Sequence, residues 1–130
     1  MVTLTAEEKK ILEDKNFAFI ATVNKDGSPQ VTPTWVHTDG KYVHVNVNTS
    51  RLKYRNLSRD ARVAVALIDQ NDPYTKLFVK GKVVSMEKGK AADDSIDQLS
   101  IKYTGHKYGN RQPGEQRVLM KIEPSKVTLG

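Results

Sequence analysis

The chain has 130 residues, of which 38% are hydrophobic and 28% charged, a length and balance typical of one ordinary soluble globular domain. The absence of cysteine excludes disulfides, thiolate metal sites and cysteine nucleophiles, and three scattered histidines without ligand spacing lead us to predict no metal site. The formal charge of +6 and the pI near 9.5 favour an anionic partner: nucleic acid, a phosphorylated small molecule or an acidic membrane surface.

The N-terminal segment predicts a short helix. Thr5 and Glu8 fit a capping box, and Ile11 and Leu12 supply an apolar face before the helix ends near Lys15.

The segment MVTLTAEEKK lacks the apolar region of a secretory signal, and no stretch of the chain approaches roughly 18 consecutive apolar residues. We therefore expect a cytoplasmic protein without a membrane partner.

Three extended segments follow, and Asp-Gly pairs mark the turns between them. Residues 17–23 form an apolar run rich in β-branched and aromatic side chains, as in a strand. Residues 30–36 predict a second strand, in which Pro33 removes a ladder donor and favours an edge or a bulge. The third strand, residues 41–47, alternates with period two, so one face is predicted to be core: Val43, Val45 and Val47.

The second half of the chain predicts three more strands and one helix. Residues 63–68 are apolar at every position, as in a strand covered on both sides. A fifth strand is predicted from Thr75 to about Met86, and a sixth over residues 118–122. Between them, residues 91–103 have apolar side chains at helical spacing and acidic side chains early, as in a helix. Successive hairpins without regular strand–helix alternation indicate an antiparallel sheet curled into a barrel, in a single domain over residues 1–130.

The stretch NTSRLKYRNLSRDAR, residues 48–62, concentrates five basic side chains between two strands. Leu57 can anchor a short helical turn while basic side chains reach an anion that also accepts backbone N–H groups at the helix start. The residues of this predicted phosphate seat are Asn48, Thr49, Ser50, Arg51, Lys53 and Arg55. The alternative is a solvated helix face on which Arg59 pairs with Asp60 or with other carboxylates.

Four pieces of the sequence, in this order and spacing, carry a resemblance to a known family. They are FIATVNKDGSPQ at 19–30, TPTW at 32–35, RLKYRNL followed by RDARV within 51–63, and the glycine of VKGKV at 79–83. The chain resembles the flavin-binding split barrels related to pyridoxamine 5′-phosphate oxidase, especially the short deazaflavin-dependent branch. The resemblance covers most of the chain. It implies a mainly β fold with short helices, a six-stranded antiparallel split β-barrel.

The resemblance also implies a homodimer in which the cofactor ring lies in a groove shared between the two subunits. The residues implied at the cofactor phosphate are Arg51, Lys53 and Asn56, with Asn48, Thr49 and Ser50 as further donors. The residues implied beside the ring are Thr32, Pro33 and Thr34. Tyr74 and Lys76 match positions near the ring or the partner subunit.

One departure from the family concerns the C-terminal segment IEPSKVTLG, residues 122–130. It lacks the aromatic and basic motif that pyridoxamine phosphate oxidases use, so pyridoxal phosphate synthesis is not expected. The cofactor is either FMN or the deazaflavin coenzyme F420. We favour coenzyme F420 because the basic turn, together with Lys76, Lys107 and Arg111, suits its phosphodiester and oligoglutamate tail.

The sequence shows neither a Ser-His-Asp arrangement nor paired carboxylates, so no catalytic residue is assigned. With a flavin or deazaflavin bound, the cofactor would supply a hydride to a small unsaturated or quinone-like substrate, with Tyr74 or water as the proton source. One alternative is a carrier that binds the cofactor without turnover. Another is a small basic nucleic-acid-binding β-barrel, which Trp35, Tyr42 and Tyr54 favour, but concentration of the basic residues in one turn argues against a nucleic-acid partner.

Overall fold

A computed structural model describes residues 2–130, and within that range the chain forms three helices and seven strands. The helices are α1 (Ala6–Glu13), α2 (Leu52–Arg59) and α3 (Lys90–Thr104). The strands are β1 (Ala18–Val23), β2 (Pro29–Thr34), β3 (His37–Thr38), β4 (Val43–Asn48), β5 (Arg62–Asp69), β6 (Asp72–Glu87) and β7 (Arg117–Leu129). Across residues 2–130, no helix combines the length and the apolar character that a membrane crossing requires.

The strands form one antiparallel sheet in the order β2-β1-β5-β6-β7-β4-β3. Consecutive strands β2 and β3 therefore lie at opposite ends of the order, and they do not pair with each other. The curled sheet is open between these two edges, and Trp35 and Val36 join them along the chain. This arrangement confirms the predicted mainly β, antiparallel split barrel.

The sheet has one strand more than the six predicted. The additional strand is β3, in which His37 pairs with His44 and Thr38 pairs with Val43. The predicted strand over residues 30–36 ends at Thr34 instead, and the fully buried Val36 enters the core before β3 begins. A two-residue strand after this change of direction carries no alternation that a sequence pattern can reveal.

Strand β7 continues well beyond the predicted end at residue 122 and runs to Leu129. Its partner β6 is 16 residues long, and the register between them shifts between Lys80 and Gly81, where Pro124 lies opposite Gly81. A bulge of this kind accommodates a proline that lacks a ladder donor. The proline therefore marks an irregularity within the strand and not its end.

The alternating pattern of β4 places its valines in the core, as predicted, since all three have side chains that are essentially fully buried. On the opposite face, Asn46 is also buried and donates from Nδ2 to the carbonyl oxygen of Ala92 on α3 at 2.9 Å. Helix α3 thus covers the polar face of β4. This contact places α3 beside the basic turn that follows the strand.

Strand β5 has two unequal faces in this chain. Val63, Val65 and Leu67 are buried, whereas Ala64 and Ala66 are only half-buried and Ile68 is 46% exposed. The predicted cover on both sides is therefore present on the inner face alone. The outer face of the sheet is apolar at this strand and open to solvent.

Candidate functional site

The basic turn starts where β4 ends. The backbone N–H of Arg51 donates to the carbonyl oxygen of Asn48 at 3.0 Å, and the N–H of Ser50 donates to Asn48 Oδ1 at 3.0 Å. Arg51 is the N-cap of α2 and has an extended backbone, but its side chain makes no capping hydrogen bond. Leu57, only 2% exposed, anchors α2 in the core as the spacing predicts. The helix start therefore presents uncapped backbone donors next to basic side chains, a favourable position for an anion.

A cleft of about 630 Å³ opens at this turn, bounded by β2, β4, the start of α2 and one face of α3. This volume falls within the range of small-molecule sites. Its polar lining consists of Gln30, Thr32, Thr34, Asn46, Asn48, Arg51, Lys53 and Arg117. Its apolar and aromatic lining consists of Phe17, Pro33, Trp35, Val47, Leu52, Ile96, Leu99 and Tyr108. The cleft can thus contact both an anionic group and an apolar ring.

Lys53 is a partly buried cation of the cleft. Burial lowers the pKa of its ammonium group, and the charges of Arg51 and Arg117 lower that pKa further. Its Nζ donates to Thr32 Oγ1 on β2 at 3.3 Å, and within residues 2–130 neither Lys53 nor Arg51 has a carboxylate at ion-pair distance. The positive charge of Lys53 is partly buried and is not neutralised by a carboxylate among the described residues, so it is stabilised when an anion binds.

Arg117, the first residue of β7, is a cleft residue that sequence reasoning missed. Its Nε donates to Asn46 Oδ1 at 2.9 Å, and its Nη1 lies 3.5 Å from Glu115 Oε1. The same Glu115 oxygen accepts from Asn48 Nδ2 at 2.9 Å, while its other oxygen is buried and has no partner among residues 2–130. The register of β4 against β7 brings Arg117 opposite Asn48. The only signal of this in the sequence was a basic residue at the start of a strand.

The other basic residues of the 48–62 stretch bond to acceptors of the protein itself. Arg55 donates from Nη1 to the carbonyl oxygen of Ser50 at 3.2 Å. Arg59 donates to the carbonyl oxygen of Val23, and Arg62 pairs with Asp60 at 2.7 Å. The solvated-face alternative thus describes part of the stretch, with Arg62 and not Arg59 as the partner of Asp60. Among the five cations, only Arg51 and Lys53 line the cleft.

The structure brings together about half of the predicted cofactor residues. Those that line the cleft are Thr32, Pro33, Thr34, Asn48, Arg51 and Lys53. Thr49 and Ser50 form the turn beside it, and the N–H of Thr49 donates to the carbonyl oxygen of Gln116 at 3.0 Å. Asn56 is buried, and its Nδ2 donates to Thr22 Oγ1 at 3.0 Å and Asn24 Oδ1 at 2.9 Å. Tyr74 and Lys76 lie on β6, outside the cleft lining.

An aromatic stack supports the wall of the cleft next to β2. Trp35 packs face to face on Tyr103 of α3, with ring centroids 5.3 Å apart and planes 6° apart, and Phe17 lies 5.4 Å from Tyr103. The Tyr103 hydroxyl donates to the carbonyl oxygen of Asn16 at 2.7 Å and accepts from the N–H of Val36 at 3.2 Å. The cleft therefore has a rigid aromatic wall adjoining its cationic lining.

Comparison with known proteins gives consistent matches across the whole chain. A family model described as pyridoxamine 5′-phosphate oxidase matches residues 4–129. An F420 reductase has a similar structure, with a TM-score of 0.85 and 28% identity over 96% of this chain and 98% of that chain. A conserved hypothetical protein of Mycobacterium tuberculosis has a TM-score of 0.79 and 22% identity over 99% and 85% of the two chains. HupZ of Group A Streptococcus has a TM-score of 0.69 and 17% identity over 97% and 93%, and at such identities these last two support the fold alone.

Proposed function

This chain belongs to the pyridoxamine 5′-phosphate oxidase family, and from that premise we propose that it is an oxidoreductase that binds coenzyme F420 or FMN in the cleft. The observation that carries the proposal is the pair of uncompensated cations, Arg51 and Lys53, at an uncapped helix start. A phosphate or phosphodiester bound there would accept from both side chains and from backbone N–H groups of α2. Arg117, whose charge acts on Lys53, would bind the same anion.

The rest of the lining suits a planar heterocycle. Thr32 and Thr34 offer hydroxyl groups along the free edge of β2, and Trp35 offers an apolar ring face held by Tyr103. A bound flavin or deazaflavin would supply hydride chemistry, while the protein orients the ring and limits its contact with water. Of the two cofactors we favour coenzyme F420, because the similar F420 reductase is named for that coenzyme and the cleft is strongly cationic.

The outer face of the sheet supports the proposed homodimer. Pro33, Phe19, Ala66 and Phe78 lie side by side across β2, β1, β5 and β6, and both phenylalanines are 46% exposed. Val31, on the same face of β2, is 62% exposed. A contiguous apolar surface of this kind is typical of an interface. The occupant we propose is a second copy of the chain.

Charge distribution along the β5–β6 hairpin fits a two-fold arrangement of copies. Asp69 and Asp72 lie at the hairpin turn, whereas Lys80 and Lys82 lie towards the opposite end of the same pair. A two-fold axis perpendicular to the hairpin would place the acidic end of one copy beside the basic end of the other. We propose that Tyr74, which is 84% exposed near the turn of this hairpin, contacts a small unsaturated or quinone-like substrate in the partner's cleft.

Titration of the purified protein with FMN and with coenzyme F420, followed by fluorescence, tests the proposed site. Lys53→Met keeps the aliphatic stem but removes the charge, and we expect it to weaken cofactor binding about 10-fold or more. The matched control is Lys25→Met, which removes a lysine exposed in the β1–β2 turn and should leave affinity unchanged. Equal affinity of Lys53→Met and wild type, or no binding of either cofactor to wild type, would contradict the proposal.

Kinetics then separate an enzyme from a carrier. An oxidoreductase should oxidise the reduced cofactor when a quinone or an activated alkene is added, at a rate that saturates with the acceptor. A chain that binds the reduced cofactor tightly but transfers no hydride to any acceptor of these classes would be a carrier.

A further inference from the structure

We propose that Tyr108 positions ligands in the cleft and that residues 105–114, which carry it, form a lid that Arg111 latches to α3. Tyr108 contributes to the cleft lining, while the neighbouring residues Lys107 and Gly109 are exposed. The nature of the ligand rests on the proposed function. The closure itself rests only on contacts within this chain.

The Tyr108 ring lies near two guanidinium groups. Its ring centroid lies 5.2 Å from the guanidinium carbon of Arg117 and 5.8 Å from that of Arg111, distances at which a cation and a ring attract each other. Its backbone N–H donates to Asp97 Oδ1 on α3 at 3.1 Å. Because Arg117 also lines the cleft, the Tyr108 ring covers one of the cations that we assign to the bound anion.

Arg111 joins the segment to α3 through two carboxylates. Its Nη1 donates to Asp93 Oδ1 at 3.1 Å, and its Nη2 donates to Asp97 Oδ1 at 3.1 Å and to the carbonyl oxygen of Asp93 at 3.3 Å. In the part of the chain that the structure describes, every hydrogen bond between residues 107–114 and elements outside the loop ends on Asp93 or Asp97. The two carboxylates therefore hold the segment that carries Tyr108 against α3.

These contacts are suited to opening as well as closing. The Arg111, Asp93 and Asp97 side chains are 37%, 57% and 25% exposed, and partly exposed ion pairs are weak and are screened by salt. Gly105 ends α3 in the left-handed conformation, with φ of +91°, so the segment leaves the helix at a residue that tolerates backbone change. Segments held by few exposed contacts open locally at low cost.

The closure can be tested without any ligand, because Trp35 is the only tryptophan of the chain and lines the same cleft. Opening of the lid should expose it to acrylamide. We expect Arg111→Ala to raise the quenching constant about 2-fold, and wild type to approach the same value as sodium chloride rises to about 0.5 M. The control Lys90→Ala breaks another exposed α3 ion pair, Lys90–Asp94, and should match wild type. Identical, salt-independent quenching in Arg111→Ala and wild type would overturn the lid.

The positioning role of Tyr108 is tested with FMN as the probe. Tyr108→Ala should release FMN about 10-fold faster, whereas Tyr108→Phe, which keeps the ring near the two guanidinium groups, should release it at the wild-type rate. An unchanged urea midpoint in both variants would show that the effect is not one of folding. Equal release rates for Tyr108→Ala and wild type would overturn the role. If quenching responds as expected but wild type binds neither FMN nor coenzyme F420, the lid stands and the proposed cofactor fails.

Discussion

Two desolvated lysines of this chain differ in what compensates their charge. Lys102 donates from Nζ to the carbonyl oxygens of Val36 at 2.7 Å and Leu12 at 2.8 Å, and it lies 4.8 Å from the ring centroid of Tyr103. Among residues 2–130, Lys53 has one hydrogen bond, to Thr32 at 3.3 Å. Lys102 is therefore satisfied as part of the structure, joining α1, α3 and the segment before β3. Lys53 retains capacity for a ligand.

Lys102 should impose a recognisable pH dependence on stability. Burial lowers its pKa to about 8, against 10.5 for the unperturbed group, so between these values the unfolded chain binds more protons than the folded one. The free energy of unfolding should therefore rise with pH across that window. Between about pH 7.5 and 9.5, we expect the free energy of unfolding of wild type to rise on the order of 1 kcal/mol more than that of Lys102→Met. The rise is limited to this size because Lys102 is partly exposed and solvent screens its charge.

Urea unfolding of both proteins at the two pH values measures this difference. Lys25→Met, which removes an exposed lysine, should retain the full wild-type rise. Parallel pH dependence of wild type and Lys102→Met would show that the Lys102 ammonium is not desolvated in the folded state.

At the residue scale, the sequence could predict Arg51 and Lys53 as anion-binding residues. It could not distinguish them from the other three cations of the same stretch. The five cations of residues 48–62 have similar sequence surroundings. Whether each one bonds within the protein or stays available to a ligand depends on which acceptors the fold brings near. Arg59, for example, is satisfied by the carbonyl oxygen of Val23, which is 36 positions away. Arg117 escaped detection because its place in the cleft depends on strand register between β4 and β7.

At the scale of elements, the contact between β6 and β7 depends on a glycine, which has no side chain. A Cβ added to Gly81 would lie 2.2 Å from the carbonyl oxygen of Glu123 and 3.2 Å from Ile122 Cγ2. These atoms belong to the facing strand backbone and to a buried core residue, so they cannot yield without separating the strands. Gly81 therefore permits the close approach at the bulge opposite Pro124.

Gly81→Ala should accordingly destabilise the protein by about 1–3 kcal/mol or more, as overpacking of a fixed backbone does. Thermal and urea unfolding would measure the loss. Gly109→Ala is the matched control, because an added Cβ there meets nothing within 4 Å, and it should change stability by no more than about 0.5 kcal/mol. Equal stability of the two variants would mean that β6 and β7 approach less closely at this point.

Local signals were sufficient for most elements of the fold. The Thr5 and Glu8 capping box forms as predicted, and the alternation of β4 correctly identifies its buried face. The signals failed where pairing decides the outcome. Strand β7 extends over polar residues and a proline because the long β6 provides a partner for them, and β3 exists because His44 and Val43 lie next to it.

At the scale of the whole molecule, the sequence of β5 suggested more burial than one chain provides. Its alternate residues Ala64, Ala66 and Ile68 are apolar, which led to the expectation of cover on both faces. In the single chain these residues face outwards, beside Phe19 and Phe78. A second copy packed on this open face would bury these apolar residues. The pattern of β5 therefore favours the proposed assembly.

The proposed assembly depends on the exposed aromatic rings of the outer sheet face. Phe78→Ser replaces a 46% exposed ring in the apolar row with a small polar side chain, and we expect it to shift a dimer towards monomers at micromolar concentration, because loss of a central aromatic removes much of the interface energy. Light scattering would measure the shift. Ile101→Ser, which alters a residue 48% exposed on α3, is the control and should leave the mass unchanged. A monomeric wild type, or a Phe78→Ser protein that remains as dimeric as Ile101→Ser, would refute the outer face as the interface and with it the presentation of Tyr74 to a neighbouring cleft.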